Sequence, residues 1–182
     1  LQSLMNTTLR WSPEAFGYYA GAEYMLNVFG FLILAGIILD KMGVRFTGTL
    51  SASVMFIGAC IKLYAISSLF AGSALDQWLS SWWVEMPGSA KLAAIGFTIF
   101  GCGCEMAGIT VSKAIAKWFE GKEMALAMGV EMAIARLGVF AVLSLSPRLA
   151  DWMGKDDPSV VPPVAFCTVL LLIGLICFIV FT

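Results

Sequence analysis

The chain has 182 residues, of which 60% are hydrophobic and 13% are charged, with a formal net charge of −1 and a mean hydropathy of +0.90. Soluble domains carry about one quarter charged residues, so this composition predicts a membrane protein. The near-neutral charge argues against a partner such as nucleic acid, and the chain has no histidine, the commonest general base and metal ligand. We therefore expect neither a metal nor another cofactor.

Five apolar stretches follow one another along the chain, at about 16–39, 46–70, 90–116, 124–145 and 164–182. Each is close to or longer than the roughly 20 residues that cross a bilayer as a helix. The sequence therefore predicts an all-α membrane protein with five transmembrane helices. Because the chain begins with Leu1 and ends at Thr182 inside an apolar stretch, we interpret it as a fragment of a larger membrane protein.

The first two stretches are joined by the segment Gly36-Ile-Ile-Leu-Asp40-Lys41-Met-Gly43-Val-Arg45. Charge is tolerated at a membrane surface, and Gly43 permits a tight reversal there. The segment resembles the loop between the second and third helices of major facilitator superfamily transporters, G-x-x-x-D-[RK]-x-G-x-[RK]-[RK]. Only the last basic position departs from that pattern, being Phe46 here. The resemblance implies that Asp40 and its neighbours form a conformational latch, with Asp40 paired to nearby bases.

The connections between the stretches differ in charge. The short connections are basic and hold Lys41, Arg45, Lys113, Lys117 and Lys122. The longer connections at 1–15, 71–89 and 146–163 hold the acids Asp76, Glu85, Asp151, Asp156 and Asp157. Basic residues concentrate on the cytoplasmic side of membrane proteins, so we expect the short connections in the cytoplasm.

Charged residues also occur within the apolar stretches, at Glu23, Lys62, Glu105, Glu131 and Arg136. Each would cost several kcal/mol if it faced lipid, so we expect them to face the bundle interior or a water-filled cavity and to be paired. Glu23 and Lys62 lie toward the outer ends of their helices, where snorkelling or a structural ion pair is expected.

Depth within the membrane brings the other three charged residues together. At a rise of about 1.5 Å per residue, Glu105 lies roughly 13 Å, Glu131 roughly 10 Å and Arg136 roughly 18 Å from the cytoplasmic ends of their helices. The third and fourth stretches are antiparallel neighbours, so a Glu105–Arg136 pair is feasible. Such a pair is either purely structural or part of a substrate site near the midplane.

Three motifs resemble one branch of the same superfamily, that of the lysosomal dipeptide uniporter and its bacterial relatives. They are Gly101-x-Gly103-x-Glu105, Trp118-Phe119-x-Gly121-Lys122-Glu123 and Ala135-Arg136-x-Gly138. In that branch the glutamate and the arginine help to hold the charged termini of a dipeptide, and the resemblance implies these roles for Glu105 and Arg136. The chain departs from the branch at Cys104, at Val111-Ser112 and at Glu131, which stand in place of glycine, a Gln-Asn pair and glutamine.

Glu131 adds a second acid near Glu105, with Arg136 as the obvious positive partner. Two carboxylates that share one cation in a poorly hydrated cavity cannot both ionise cheaply. We therefore hypothesise that Glu131 couples transport to protons. A structural hydrogen-bonding role for Glu131 is the alternative.

The resemblance implies a partial major facilitator superfamily bundle, namely helices two to six of twelve. Its partners would be the lipid bilayer, the missing first helix and the carboxy-terminal half of the same protein. We expect alternating-access transport of a small organic solute such as a dipeptide or similar zwitterion, in the bacterial cytoplasmic membrane or alternatively the eukaryotic lysosomal membrane. An organic anion, a sugar or a drug is the alternative solute. A non-transporting receptor or scaffold is less favoured, and an enzyme is disfavoured because no catalytic constellation is present.

Overall fold

The computed structural model describes residues 5–6, 9–82, 86–121, 123–153 and 159–181. These residues form helices and no β-strand. The helices are α1 (Pro13–Ala22), α2 (Met25–Val28), α3 (Phe31–Ile66), α4 (Ala74–Ser80), α5 (Gly88–Trp118), α6 (Met124–Met153) and α7 (Val161–Phe181). Of these, α3, α5, α6 and α7 are long and apolar enough to cross a membrane. The fold is compatible with an integral multi-pass membrane protein.

Helix α3 is broken at Gly43, whose backbone angles are φ 80° and ψ 172°. This region of backbone space is open essentially only to glycine. We name the two parts α3a (31–42) and α3b (44–66). The reversal that the sequence predicts at Gly43 therefore has a local cause, because the chain leaves helical geometry at this one residue.

Contacts with α5 show that the chain runs in opposite directions on the two sides of Gly43. Before Gly43, contacts move toward the end of α5 as the chain advances, and after Gly43 they move back toward its start. The contacting pairs are Trp11–Ser89, Ala22–Thr98 and Asp40–Lys113 before Gly43, and Ser51–Gly103 and Gly58–Gly96 after it. The arm 13–42 and α3b are therefore antiparallel to each other, and both pack on α5.

This arrangement places the hinge and the last turns of α5 at one end of the bundle, as the charge pattern predicts. Helix α4 lies at the other end, within the connection predicted at 71–89, and begins after Ser73, whose hydroxyl accepts a hydrogen bond from the Asp76 N–H. Of the charged residues used to predict these sides, Lys122, Glu85, Asp156 and Asp157 lie outside the described residues.

Two predicted stretches differ from the observed helices in extent. The stretch 16–39 contains two interruptions, at Glu23–Tyr24 and at Phe29–Gly30, where Gly30 has φ 83°. Helix α6 continues to Met153, past the predicted end at 145, and includes Pro147. Hydropathy marks the edge of the membrane, whereas a helix can continue beyond that edge through polar residues.

Glycines bring α3b and α5 into close contact. A Cβ atom added to Gly58 would lie 2.5 Å from the Phe100 backbone nitrogen, and one added to Gly96 would lie 2.9 Å from the Gly58 carbonyl oxygen. Small residues allow transmembrane helix backbones to approach in this way. Helix α6 packs differently, because its contacts with α5 and α7 are sparse and its apolar side chains are largely exposed.

We predict that Gly43→Ala destabilises the protein by about 1–3 kcal/mol, because alanine is strained at these backbone angles. The control is Gly36→Ala in the same helix, where an added Cβ has nothing within 4 Å. That change should be neutral or should gain up to about 1 kcal/mol from helix propensity. Thermal unfolding of the purified variants measures both changes in stability. Equal losses of stability in the two variants would contradict the proposed role of Gly43.

Candidate functional site

Three of the charged residues within the apolar stretches lie near one another. Glu23 lies between α1 and α2, Lys62 on α3b and Glu105 on α5, and each is half-buried. The Glu23 carboxylate interacts electrostatically with the Lys62 ammonium and with the Glu105 carboxylate. We call these three residues the intramembrane charge cluster. It brings together groups of both signs from three separate segments of the chain.

Close packing against α5 holds Glu23 in this position. A Cβ atom on Gly101, one turn before Glu105, would overlap the Glu23 carbonyl oxygen. The Thr98 hydroxyl lies 3.0 Å from the Ala22 carbonyl oxygen and so ties the last turn of α1 to α5. The glycine and the hydroxyl together allow the interrupted first arm to lie directly on α5.

The Lys62 ammonium faces two aromatic rings of α5. Its Nζ lies 4.2 Å from the ring centroid of Phe97 and 4.8 Å from that of Phe100, which are distances for cation–π attraction. Tyr19 stacks on Phe97 with ring centroids 4.8 Å apart and an interplanar angle of 16°. Cations in an apolar interior need such partners, because lipid supplies none.

These side chains line a cavity of about 550 Å³ between α1, α3b, α5, α6 and α7. Its volume lies within the range of small-molecule sites. Aromatic and aliphatic side chains form most of its wall, and Lys62 is the charged member among the described lining residues. Ser146 of α6 and Cys167 and Thr168 of α7 add small polar groups. The arrangement can hold a solute with an apolar body and an anionic group.

The Glu105–Arg136 pair that the sequence makes feasible is not formed among the described residues. Arg136 is exposed and Glu131 half-buried on α6. None of Glu105, Glu131 and Arg136 belongs to the described lining of the 550 Å³ cavity. Of the two residues proposed to bind substrate, only Glu105 therefore lies in the intramembrane charge cluster.

At the hinge, Asp40 pairs with a base that the sequence does not single out. Its Oδ1 lies 2.5 Å from Lys113 Nζ of α5, while Lys41 and Arg45 are exposed. The Asp40 and Lys113 side chains are 77% and 41% exposed, so the pair contributes at most about 1 kcal/mol to stability. Its partners are 73 positions apart, and no local sequence pattern indicates such a contact.

Lys91 is a further residue that sequence analysis does not single out. It is buried near the start of α5, and its Nζ donates to the carbonyl oxygens of Leu79 at 2.7 Å and Trp82 at 3.3 Å. These carbonyls lie at and just beyond the end of α4, where helices leave acceptors without helical partners. Lys91 therefore has a structural role, in contrast to Lys62.

Comparison with known proteins supplies no relative from which a role could be carried over. The chain matches no protein-family model, no curated protein and no solved structure. The resemblance of the three motifs therefore stays a prediction.

We predict that Gly101→Ala destabilises the protein by about 1–3 kcal/mol, because the added methyl group would force the backbone at Glu23 away from α5. Gly108→Ala in the same helix is the matched control, because nothing lies within 4 Å of its added Cβ. Thermal unfolding should show a loss for the first variant only. A Gly101→Ala protein as stable as the control would show that the first arm does not pack closely at this point.

Proposed function

We propose that the chain belongs to a secondary active or facilitative transporter that moves a small organic solute by alternating access. The observation that carries this proposal is the intramembrane charge cluster beside a cavity, among helices apolar enough to cross a membrane. Charges at membrane depth are expensive and are kept where they bind solutes or ions. Transporters bind their solutes between helices near the midplane of the bilayer.

A dipeptide or a similar zwitterion suits groups of both signs. Its ammonium would pair with Glu105, and its carboxylate would be held by a cation. Arginine binds carboxylates through two parallel hydrogen bonds, which supports the role that the motif resemblance implies for Arg136. Because Arg136 is exposed on α6, this role requires α6 to move toward α5 during the transport cycle. Alternating access provides movements of this kind.

We propose five membrane crossings, with the arm 13–42 and α3b each crossing once on opposite sides of Gly43. They would correspond to helices two to six of a major facilitator superfamily transporter. The antiparallel contacts with α5 support this count. The basic hinge end would face the cytoplasm, because basic connections remain on that side.

The Asp40–Lys113 pair supports a latch in this proposal. It joins α3a to α5 at the hinge end, where solvent can reach it. An exposed pair contributes little to stability and can therefore open and close during a transport cycle. Asp40 would thus control the rate of interconversion between transporter states, and its removal would affect cycling more than solute binding.

Proton coupling through Glu131 remains part of the proposal. A related arrangement lies at a second place, where Glu23 interacts electrostatically with both the acid Glu105 and the cation Lys62. Two acids beside one cation can exchange a proton with solvent when a solute changes their surroundings. Glu131 and Glu23 are therefore the two acids whose removal should distinguish coupled transport from uniport.

Counterflow in proteoliposomes tests this function with the full-length protein. Vesicles loaded with unlabelled solute should transiently accumulate the labelled solute from outside, with no ion gradient. Dipeptides, organic anions and sugars would be screened as solutes. We predict that Glu105→Gln abolishes this counterflow, while Glu120→Gln, an exposed acid beyond the end of α5, preserves it. A folded protein that gives no counterflow with any solute class would favour a receptor or scaffold instead.

The same vesicles also test the latch role of Asp40 and the proton-coupling role of Glu131. Asp40→Asn should slow counterflow without weakening solute binding, and an unchanged rate would contradict the latch role of Asp40.

Glu131→Gln should retain counterflow but lose the accumulation of solute that is driven by an imposed pH gradient. If that accumulation survives in Glu131→Gln and is lost in Glu23→Gln, the coupling acid is Glu23.

A further inference from the structure

The ammonium of Lys62 lacks the partners that two other lysines facing the bundle, Lys91 and Lys113, have. Lys91 donates to two backbone carbonyls, and Lys113 pairs with Asp40. Among the described residues, Lys62 Nζ makes no hydrogen bond and no direct ion pair, and its close neighbours are the rings of Phe97 and Phe100. An ammonium carries three hydrogen-bond donors. An anionic acceptor that enters the cavity would satisfy them.

The wall beside Lys62 suits a flat apolar group. The rings of Tyr19, Phe97 and Phe100 form a series in which Tyr19 stacks on Phe97 and Phe97 lies 5.9 Å from Phe100 at 24°. Aromatic rings in such offset arrangements attract further aromatic groups. The 550 Å³ cavity that they line is large enough for a single ring with a short side chain.

The carboxylates of Glu23 and Glu105 limit how much negative charge a ligand at Lys62 can carry. Glu23 interacts electrostatically with Lys62, and Glu105 interacts with Glu23. Their negative charges would repel a second negative charge on a ligand bound at Lys62. One carboxylate is therefore favoured over two.

We propose that this cavity binds an organic monocarboxylate whose carboxylate pairs with Lys62 and whose aromatic or other apolar body packs on Tyr19, Phe97 and Phe100. The proposal rests on the transport function proposed above and narrows its substrate class. It makes Lys62, rather than Arg136, the partner of the carboxylate. A dipeptide with an aromatic side chain belongs to this class, and so does a simple arylalkanoic acid.

Matched ligands test the proposal without any mutation. Isothermal titration of the full-length protein would compare 3-phenylpropionate with its uncharged amide, 3-phenylpropionamide. The acid should bind at least about 10-fold more tightly, because a charge-assisted hydrogen bond is lost in the amide. Equal affinities would overturn the assignment of an anion site.

Substitutions at Lys62 locate the interaction. Lys62→Met should weaken the binding of 3-phenylpropionate by about 10-fold or more and leave the affinity for the amide unchanged. Lys62→Arg should retain the preference for the acid over the amide. Lys117→Met, an exposed lysine near the far end of α5, is the control and should bind as the unaltered protein does. If Lys62→Met fails to fold, the acid and the amide are compared in the unaltered protein and in Lys62→Arg. Equal affinities for the acid and the amide in either protein would overturn the proposal.

Two cysteines of α7 report where the ligand sits. Cys167 lines the cavity, and Cys177 is exposed further along the same helix. In variants whose only cysteine is Cys167 or Cys177, saturating 3-phenylpropionate should slow the alkylation of Cys167 by N-ethylmaleimide and leave the alkylation of Cys177 unchanged. Unchanged alkylation of Cys167 would place the ligand elsewhere and overturn the proposal.

These results are distinguishable from failure of the transport function. Counterflow of a solute without a carboxylate, with no protection of Cys167 by 3-phenylpropionate, would overturn this proposal and leave transport supported. Protection of Cys167 that depends on Lys62, with no counterflow of any solute, would support the carboxylate site and overturn transport.

Discussion

Close backbone contact between α5 and the two antiparallel arms of chain beside it is the interaction on which the fold and the site depend. Gly58 and Gly96 allow α3b to touch α5, and Gly101 allows the segment at Glu23 to do so. A Cβ atom at any of these glycines would lie within 3.0 Å of backbone atoms of the facing segment, so the two elements would have to move apart. Glu23 and Lys62 could then no longer lie beside the same stretch of α5.

The charged residues fall into two kinds that differ in their surroundings. At the hinge, Asp40 and Lys113 are exposed enough for solvent to screen their attraction, so they suit a reversible contact. The residues of the intramembrane charge cluster are half-buried among apolar helices, and an unpaired charge in an apolar interior is costly. In the proposed transporter, the cluster and the neighbouring cavity would distinguish solutes by charge, and the exposed pair would regulate access.

The sequence predicts much of this architecture, because helices and hinges depend on local properties. Apolar length marks the helices that are long enough to cross a membrane, and Gly43, where the sequence predicts a reversal, breaks α3 with a φ of 80°. Which residues lie beside Glu105 depends instead on how the helices pack against one another. Depth along a helix follows from residue counting, whereas the direction in which a side chain points depends on how helices rotate against one another. Counting therefore brings Glu105 and Arg136 to similar depths, and packing turns Glu105 toward Glu23 instead.

The most direct measurement is a double-mutant cycle between Glu23 and Lys62, because these residues come close enough to interact electrostatically only if the chain reverses at Gly43 and both arms pack on α5. Thermal stability would be measured for the unaltered protein, Glu23→Gln, Lys62→Gln and the double variant. We expect a coupling free energy of at least about 0.5 kcal/mol, as found for residues that interact. Effects that add to within about 0.3 kcal/mol would contradict the intramembrane charge cluster and the arrangement of helices that creates it.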